Sequence, residues 1–162
     1  MSAGSTIFEP AELAGDPDVQ RCLAALRAMY DHPGPDAVDA LRPVLDASFT
    51  FTPAGTSDSA LQQTYVGAEG FTAFLERQAA LTDDSWWPEV QTVRVGPEVI
   101  TVAVIARPRR RDGLRAEFGI VHRWTRRADT LVSFVSHTEQ QQEYDRFHAH
   151  DADHYGGTGS RS

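Results

Sequence analysis

From Asp18 to Tyr30 the apolar side chains Val19, Cys22, Leu23, Leu26 and Met29 recur at helical spacing. Asp16-Pro17 is a start signal, with Asp as the cap and Pro in the first turn, and His32-Pro33-Gly34-Pro35 stops the helix. Val38, Leu41, Val44 and Leu45 predict a second helix over residues 36–45. Residues 49–53 alternate Phe and Thr and read as a short strand, ended by Pro53-Ala54-Gly55. After a polar loop, Gly67-Ala68-Glu69-Gly70 leads into a third helix whose buried stripe is Phe71, Phe74, Leu75, Gln78 and Leu81. Beyond Trp86-Trp87-Pro88 the pattern changes to strands over residues 89–95, 99–107, 114–125 and 130–138. Residues 139–148 predict a short closing helix. Residues 1–15 read as a flexible leader, 16–148 as one domain and 149–162 as a disordered tail, with no internal repeat.

Early helices followed by a meander of strands predict an α+β domain, with an antiparallel sheet and the helices on one face. Composition fits: of 162 residues, 41% are hydrophobic and 23% charged, which is globular composition. The net charge of −8 argues against general nucleic-acid binding. Arg107, Arg109, Arg110, Arg111 and Arg115 flank a turn at Asp112-Gly113 and read as a solvated loop rather than an anion patch. All the basic residues are arginines, so a Schiff-base lysine is excluded. Cys22 stands alone, residues 1–8 carry no secretory pattern and no apolar run is long enough to cross a bilayer. A cytoplasmic protein without membrane or nucleic-acid partners is expected.

The stretch from Val44 through Asp46 and Phe49 to Pro53-Ala54-Gly55, then Tyr65-Val66-Gly67 through Phe71, resembles the SnoaL-like branch of the nuclear-transport-factor-two-like superfamily. Val121-His122-Arg123-Trp124 and Asp129-Thr130-Leu131-Val132 are similar to its penultimate hairpin. The resemblance spans about residues 18–148. It implies a cone-shaped α+β barrel in which a curved sheet wraps three N-terminal helices around a pocket for a small apolar molecule. Superfamily members include ketosteroid isomerases, polyketide cyclases, scytalone dehydratase, limonene epoxide hydrolase and non-catalytic pocket or association domains. Thr52 stands where the ketosteroid isomerases place their base carboxylate, and Val121 near where they place a second, so their mechanism is not implied.

Closing the last hairpin at Thr125 and Thr130 pairs residues 122 with 133 and 118 with 137. Alternation then gathers Phe118, Ile120, His122, Trp124, Leu131, Ser133, Val135 and His137 on one face. A one-residue slip exchanges the faces. His122 and His137 are the candidate catalytic acid–base pair, about 13 Å apart on this register. For each, the alternative is a half-buried histidine satisfied by backbone or water. Tyr30, Thr52, Trp86, Trp87, Phe118, Trp124 and Glu139 are the candidate substrate-binding residues. Core packing is the favoured alternative for Tyr30, strand propensity accounts equally for Thr50 and Thr52, and one of the tryptophans could roof the pocket or sit in an interface. Asp46 reads as capping or ending the second helix. The run from His148 to His154 matches no metal-site spacing, and neither metal nor cofactor is expected. Residues 99–106 are apolar on both faces, which points to a homodimer. Two functions remain open: a cofactor-independent cyclase, isomerase or dehydratase, and a non-catalytic ligand-binding or dimerisation module.

Overall fold

Asp16 sets the first long helix. Its carboxylate accepts from the backbone N–H groups of Asp18 (2.9 Å) and Val19 (3.3 Å), and Pro17 occupies the first turn. The computed structural model describes residues 5–32 and 34–149. Its helices are α1 (Ala11–Ala14), α2 (Pro17–Asp31), α3 (Val38–Leu41), α4 (Gly67–Leu81) and α5 (Gln141–Phe147). The strands are β1 (Thr6–Phe8), β2 (Leu45–Thr52), β3 (Tyr65–Val66), β4 (Glu89–Val95), β5 (Val99–Ala106), β6 (Phe118–Arg127) and β7 (Thr130–His137).

These strands form one curved sheet in the order β1-β4-β5-β6-β7-β2-β3. The expected antiparallel meander runs from β4 to β7, and two parallel pairings extend it: β1 beside β4, and β2 beside β7. Part of the stretch read as a leader is thus ordered: Thr6–Phe8 pairs with Thr92–Arg94, and the Arg94 guanidinium lies 4.2 Å from the centre of the Phe8 ring. The second helix is a single regular turn between two 3-10 turns, because Pro43 has no N–H to continue it. Leu45 accordingly begins β2 instead of ending a helix. Residues 114–117 lie in a loop before β6, where Arg110 N–H donates to the Leu114 carbonyl.

Helices α2 and α4 cover one face of the sheet. From β5 come Ile100, Val102 and Val104, and from β6 Phe118, Ile120, His122 and Trp124, all buried on that side. Phe49, Phe51, Phe71, Trp124 and Phe134 form the aromatic centre, with Trp124 and Phe134 stacked at 3.9 Å and Phe51 and Phe134 at 4.5 Å. Such ring pairs each add about 0.5–1.5 kcal/mol beyond area burial. The opposite face of β5, from Val99 to Ile105, is covered by no helix of the described residues and is half-buried to exposed.

The last hairpin departs from the expected register. β6 runs on to Arg127, so that Arg127 pairs with Thr130, and the register slips by one where Thr125 and Arg126 face Ser133 and Leu131, leaving Val132 of β7 as the extra, unpaired residue. His122 therefore pairs with Ser136 rather than residue 133. The odd shift leaves the inward face of β6 as expected and keeps Leu131 buried, but exchanges the faces of β7 beyond Val132. Phe134 and Ser136 turn inward, while Val135 and His137 turn out and are exposed.

Candidate functional site

A cavity of about 270 Å³ opens between the sheet and the helices. Its walls are aromatic and apolar, drawn from β2 (Phe51), α4 (Phe71, Phe74) and β7 (Phe134), with Trp86 and Trp87 at one side and Tyr144 of α5 at another. Tyr30, Gln78, His122 and Ser136 bring polar groups to it. A concave apolar space with a few convergent polar groups has the make-up of a small-molecule site.

The polar groups are not independent. Trp124 Nε1–H donates to the Tyr30 hydroxyl oxygen at 3.0 Å, and that hydroxyl lies 2.6 Å from His122 Nδ1. The phenol has one proton, and among the described residues Nδ1 is its acceptor, so Tyr30 O–H donates to His122. Nδ1 is then the lone-pair nitrogen and Nε2 carries the ring proton. Nε2 has no hydrogen-bond partner among the described residues, and the ring lines the cavity. Burial pushes the imidazole down to about pKa 3 and raises the Tyr30 phenol above its ordinary value. At neutral pH His122 is an uncharged N–H donor, and Tyr30 stays protonated.

The helix that presents Tyr30 follows from the sequence pattern: Tyr30 sits on the face of α2 that buries Leu23, Leu26 and Met29. Trp124 and His122 lie two apart on β6 and share its inward face, so a single helix side chain meets both.

Of the expected site residues, the structure brings Tyr30, His122, Trp86 and Trp87 to the cavity. Trp124 stands behind it as donor to Tyr30, and Phe118 packs against Trp86 and Tyr144. His137 is on the other face, Thr52 is half-buried beside Val135, and Glu139 is exposed beyond β7. None of these three lines the cavity. Asp46 caps no helix among the described residues; it lies in β2 and accepts from the Ser48 hydroxyl and from the Ser48 backbone N–H, which together hold its carboxyl below the ordinary range. Three of the five loop arginines are paired, Arg107 with Glu89 and Glu117, Arg109 with Asp83, and Arg110 with Asp112. Sequence reasoning missed Ser136 and Phe134, which the wrong register turned outward, and Tyr144 and His148, whose short helix carries little periodicity. His148, expected in a solvated tract, is fully buried. Residues 150–154 of that tract lie outside the described residues, among which no metal-binding group of three side chains occurs.

No protein-family model matches the chain, and no curated protein is similar to it in sequence. Solved structures do share its fold. Bal32a, from a soil-derived mobile gene cassette, is 14% identical with a TM-score of 0.71, over 81% of this chain and 98% of that one. An NTF2-like protein of unknown function from Burkholderia pseudomallei is 18% identical with a TM-score of 0.68, over 79% of this chain and 97% of that one. A protein of ketosteroid isomerase-like fold from Catenulispora acidiphila, in complex with trimethylamine, is 14% identical with a TM-score of 0.54, over 75% of this chain and 85% of that one. The chain has the NTF2-like cone fold, as the sequence resemblance implied. At these identities the likeness speaks for architecture and leaves chemistry to the site. Among the described residues no helix is long and apolar enough to cross a membrane.

Proposed function

We propose that this protein is a cofactor-independent enzyme that binds a small apolar molecule in the cavity and polarises a carbonyl or enolic oxygen with His122. The observation that carries this reading is the chain of hydrogen bonds from Trp124 through Tyr30 to His122, built inside an aromatic enclosure. A neutral imidazole held by its Nδ1 offers a fixed N–H to charge that develops on an oxygen, and the dry surroundings strengthen that bond. The reactions this serves are isomerisation, cyclisation or dehydration through an enol or enolate. Proton transfer by an imidazolium is disfavoured, because burial opposes the charged ring. His137 has no part in this scheme.

One observation favours the non-catalytic alternative. Asp84, exposed at the rim, is the one carboxylate among the described residues that line the cavity, so no buried carboxylate base faces the ligand. Turnover separates the two readings. On a panel of enolisable cyclic ketones, the enzyme reading predicts activity that falls about 10²–10³-fold in kcat for His122→Phe, the usual loss for an oxyanion donor. Binding without turnover across the panel would select the ligand-binding module instead.

The uncovered face of β5 and its neighbours supports a homodimer as the working assembly, with a second copy of the chain over Val99, Ala103 and Ile105.

A further inference from the structure

Four buried side-chain atoms have no hydrogen-bond partner among the described residues: Gln62 Oε1, Arg126 Nε, Gln141 Oε1 and His148 Nε2. The amides exchange O and N on a flip, and the other Arg126 nitrogens donate to the carbonyls of Ala128 and Pro97. His148 has no such relief. Its Nδ1 lies 3.0 Å from the Tyr144 carbonyl, which only accepts, so Nδ1 carries the proton and Nε2 is a bare lone pair. The ring is fully buried among Tyr144, Phe147, Trp86 and Phe118, with centroids at 4.3, 5.1, 5.4 and 6.4 Å. Burial holds the ring neutral, so protonation does not satisfy the lone pair near neutral pH.

Two of those four rings, Trp86 and Tyr144, also line the cavity. Trp86 is only half-buried, and it follows two consecutive non-glycine residues in the left-handed region, Asp83 at φ 52° and Asp84 at φ 57°. Of the two partitions it is the less buried, Tyr144 being 2% exposed. We propose that His148 Nε2 is the acceptor of a second ligand subsite, opened when Trp86 turns aside and filled by a ligand hydroxyl or N–H. This rests on the reading of the cavity as a ligand site. The two imidazoles then have opposite polarity: His122 presents a donor and His148 an acceptor. The ligand class they define together is an uncharged ring compound with a hydroxyl at one end and a carbonyl-type oxygen at the other.

Naphthol and its methyl ether test the acceptor, because they match in ring and oxygen and differ in the O–H. Calorimetric titration of the full chain is expected to give naphthol about 10-fold tighter binding, the worth of one good hydrogen bond to a buried acceptor. His148→Phe should remove that preference and keep binding of the ether. Equal affinities in the unaltered chain, or a preference that survives in His148→Phe, would overturn the subsite. Nitrogen-15 spectra of the unaltered chain decide the matter even if the variant does not fold, since naphthol should shift the His148 Nε2 resonance. A shift at His122 with His148 unmoved, as an ordered water on Nε2 would give, defeats the subsite and leaves the cavity reading standing. No shift at either histidine defeats both.

Discussion

Tyr30 links α2 to β6 through a single oxygen that accepts from Trp124 and donates to His122. Its hydroxyl is therefore structural as well as chemical. Tyr30→Phe strands the Trp124 N–H and the His122 lone pair in a dry core, and each unpaired buried group costs about 1–3 kcal/mol. Urea unfolding should register that loss, whereas Phe in place of Tyr at an exposed site changes little. The buried histidines also set a pH dependence. His122 is depressed to about 3 and His148 to about 4, both below the ordinary 6.5 of an unfolded histidine. Above pH 6.5 both states are neutral at these sites and stability is unaffected. Below it the unfolded chain takes up protons that the folded one refuses, so stability falls as the pH drops from 6.5 towards 4, by no more than about 1 kcal/mol per pH unit for each group. Unfolding midpoints measured from pH 7.5 to 4.5 should fall in the unaltered chain and fall less steeply in His122→Phe.

At the scale of elements, the loop after β2 is tied down by α5. Asp145 accepts from the Thr56 backbone N–H (2.8 Å) and hydroxyl (2.6 Å), and Gly55 beside it has φ 99°. A Cβ on Gly55 would stand 2.7 Å from Asp145 Oδ1. Gly55→Ala is expected to lower stability by more than about 1 kcal/mol, from the positive φ and this clash together. A thermal unfolding scan measures it, and an unchanged midpoint would refute the account of the loop. The elements themselves were largely legible in the sequence, because α2, α4, β4 and β5 carry clean periodicities that burial enforces. The register of the β6–β7 hairpin was not. Its turn has Ala128 at φ 52° with no glycine to mark it, and the extra residue at Val132, opposite Thr125 and Arg126, leaves no compositional trace. That one irregularity is why alternation puts His122 on the inward face correctly but assigns His137 to the same face, whereas it turns outward. The Tyr30–His122 contact joins residues 92 positions apart, and no local pattern reports such a distance.

For the whole molecule, the sheet divides the chain into a face with the cavity and a face that helices leave open. Val99 and Val135 are large apolar residues exposed on that open side, at 37% and 43%. If a second copy covers it, Ile105→Arg should convert a dimer to a monomer in light scattering while the circular dichroism of the chain is retained. A monomeric unaltered chain would remove the dimer from the account. On the other face, everything turns on the protonation of one ring. Nitrogen-15 correlation of the histidine side chains between pH 8 and 5 reads it directly. His122 is predicted to remain neutral throughout, with the proton on Nε2 and the lone pair on Nδ1. A proton on Nδ1, or titration to the imidazolium near pH 6.5, would contradict the Tyr30 hydrogen bond as drawn and with it the assignment of His122 as the donor in the cavity.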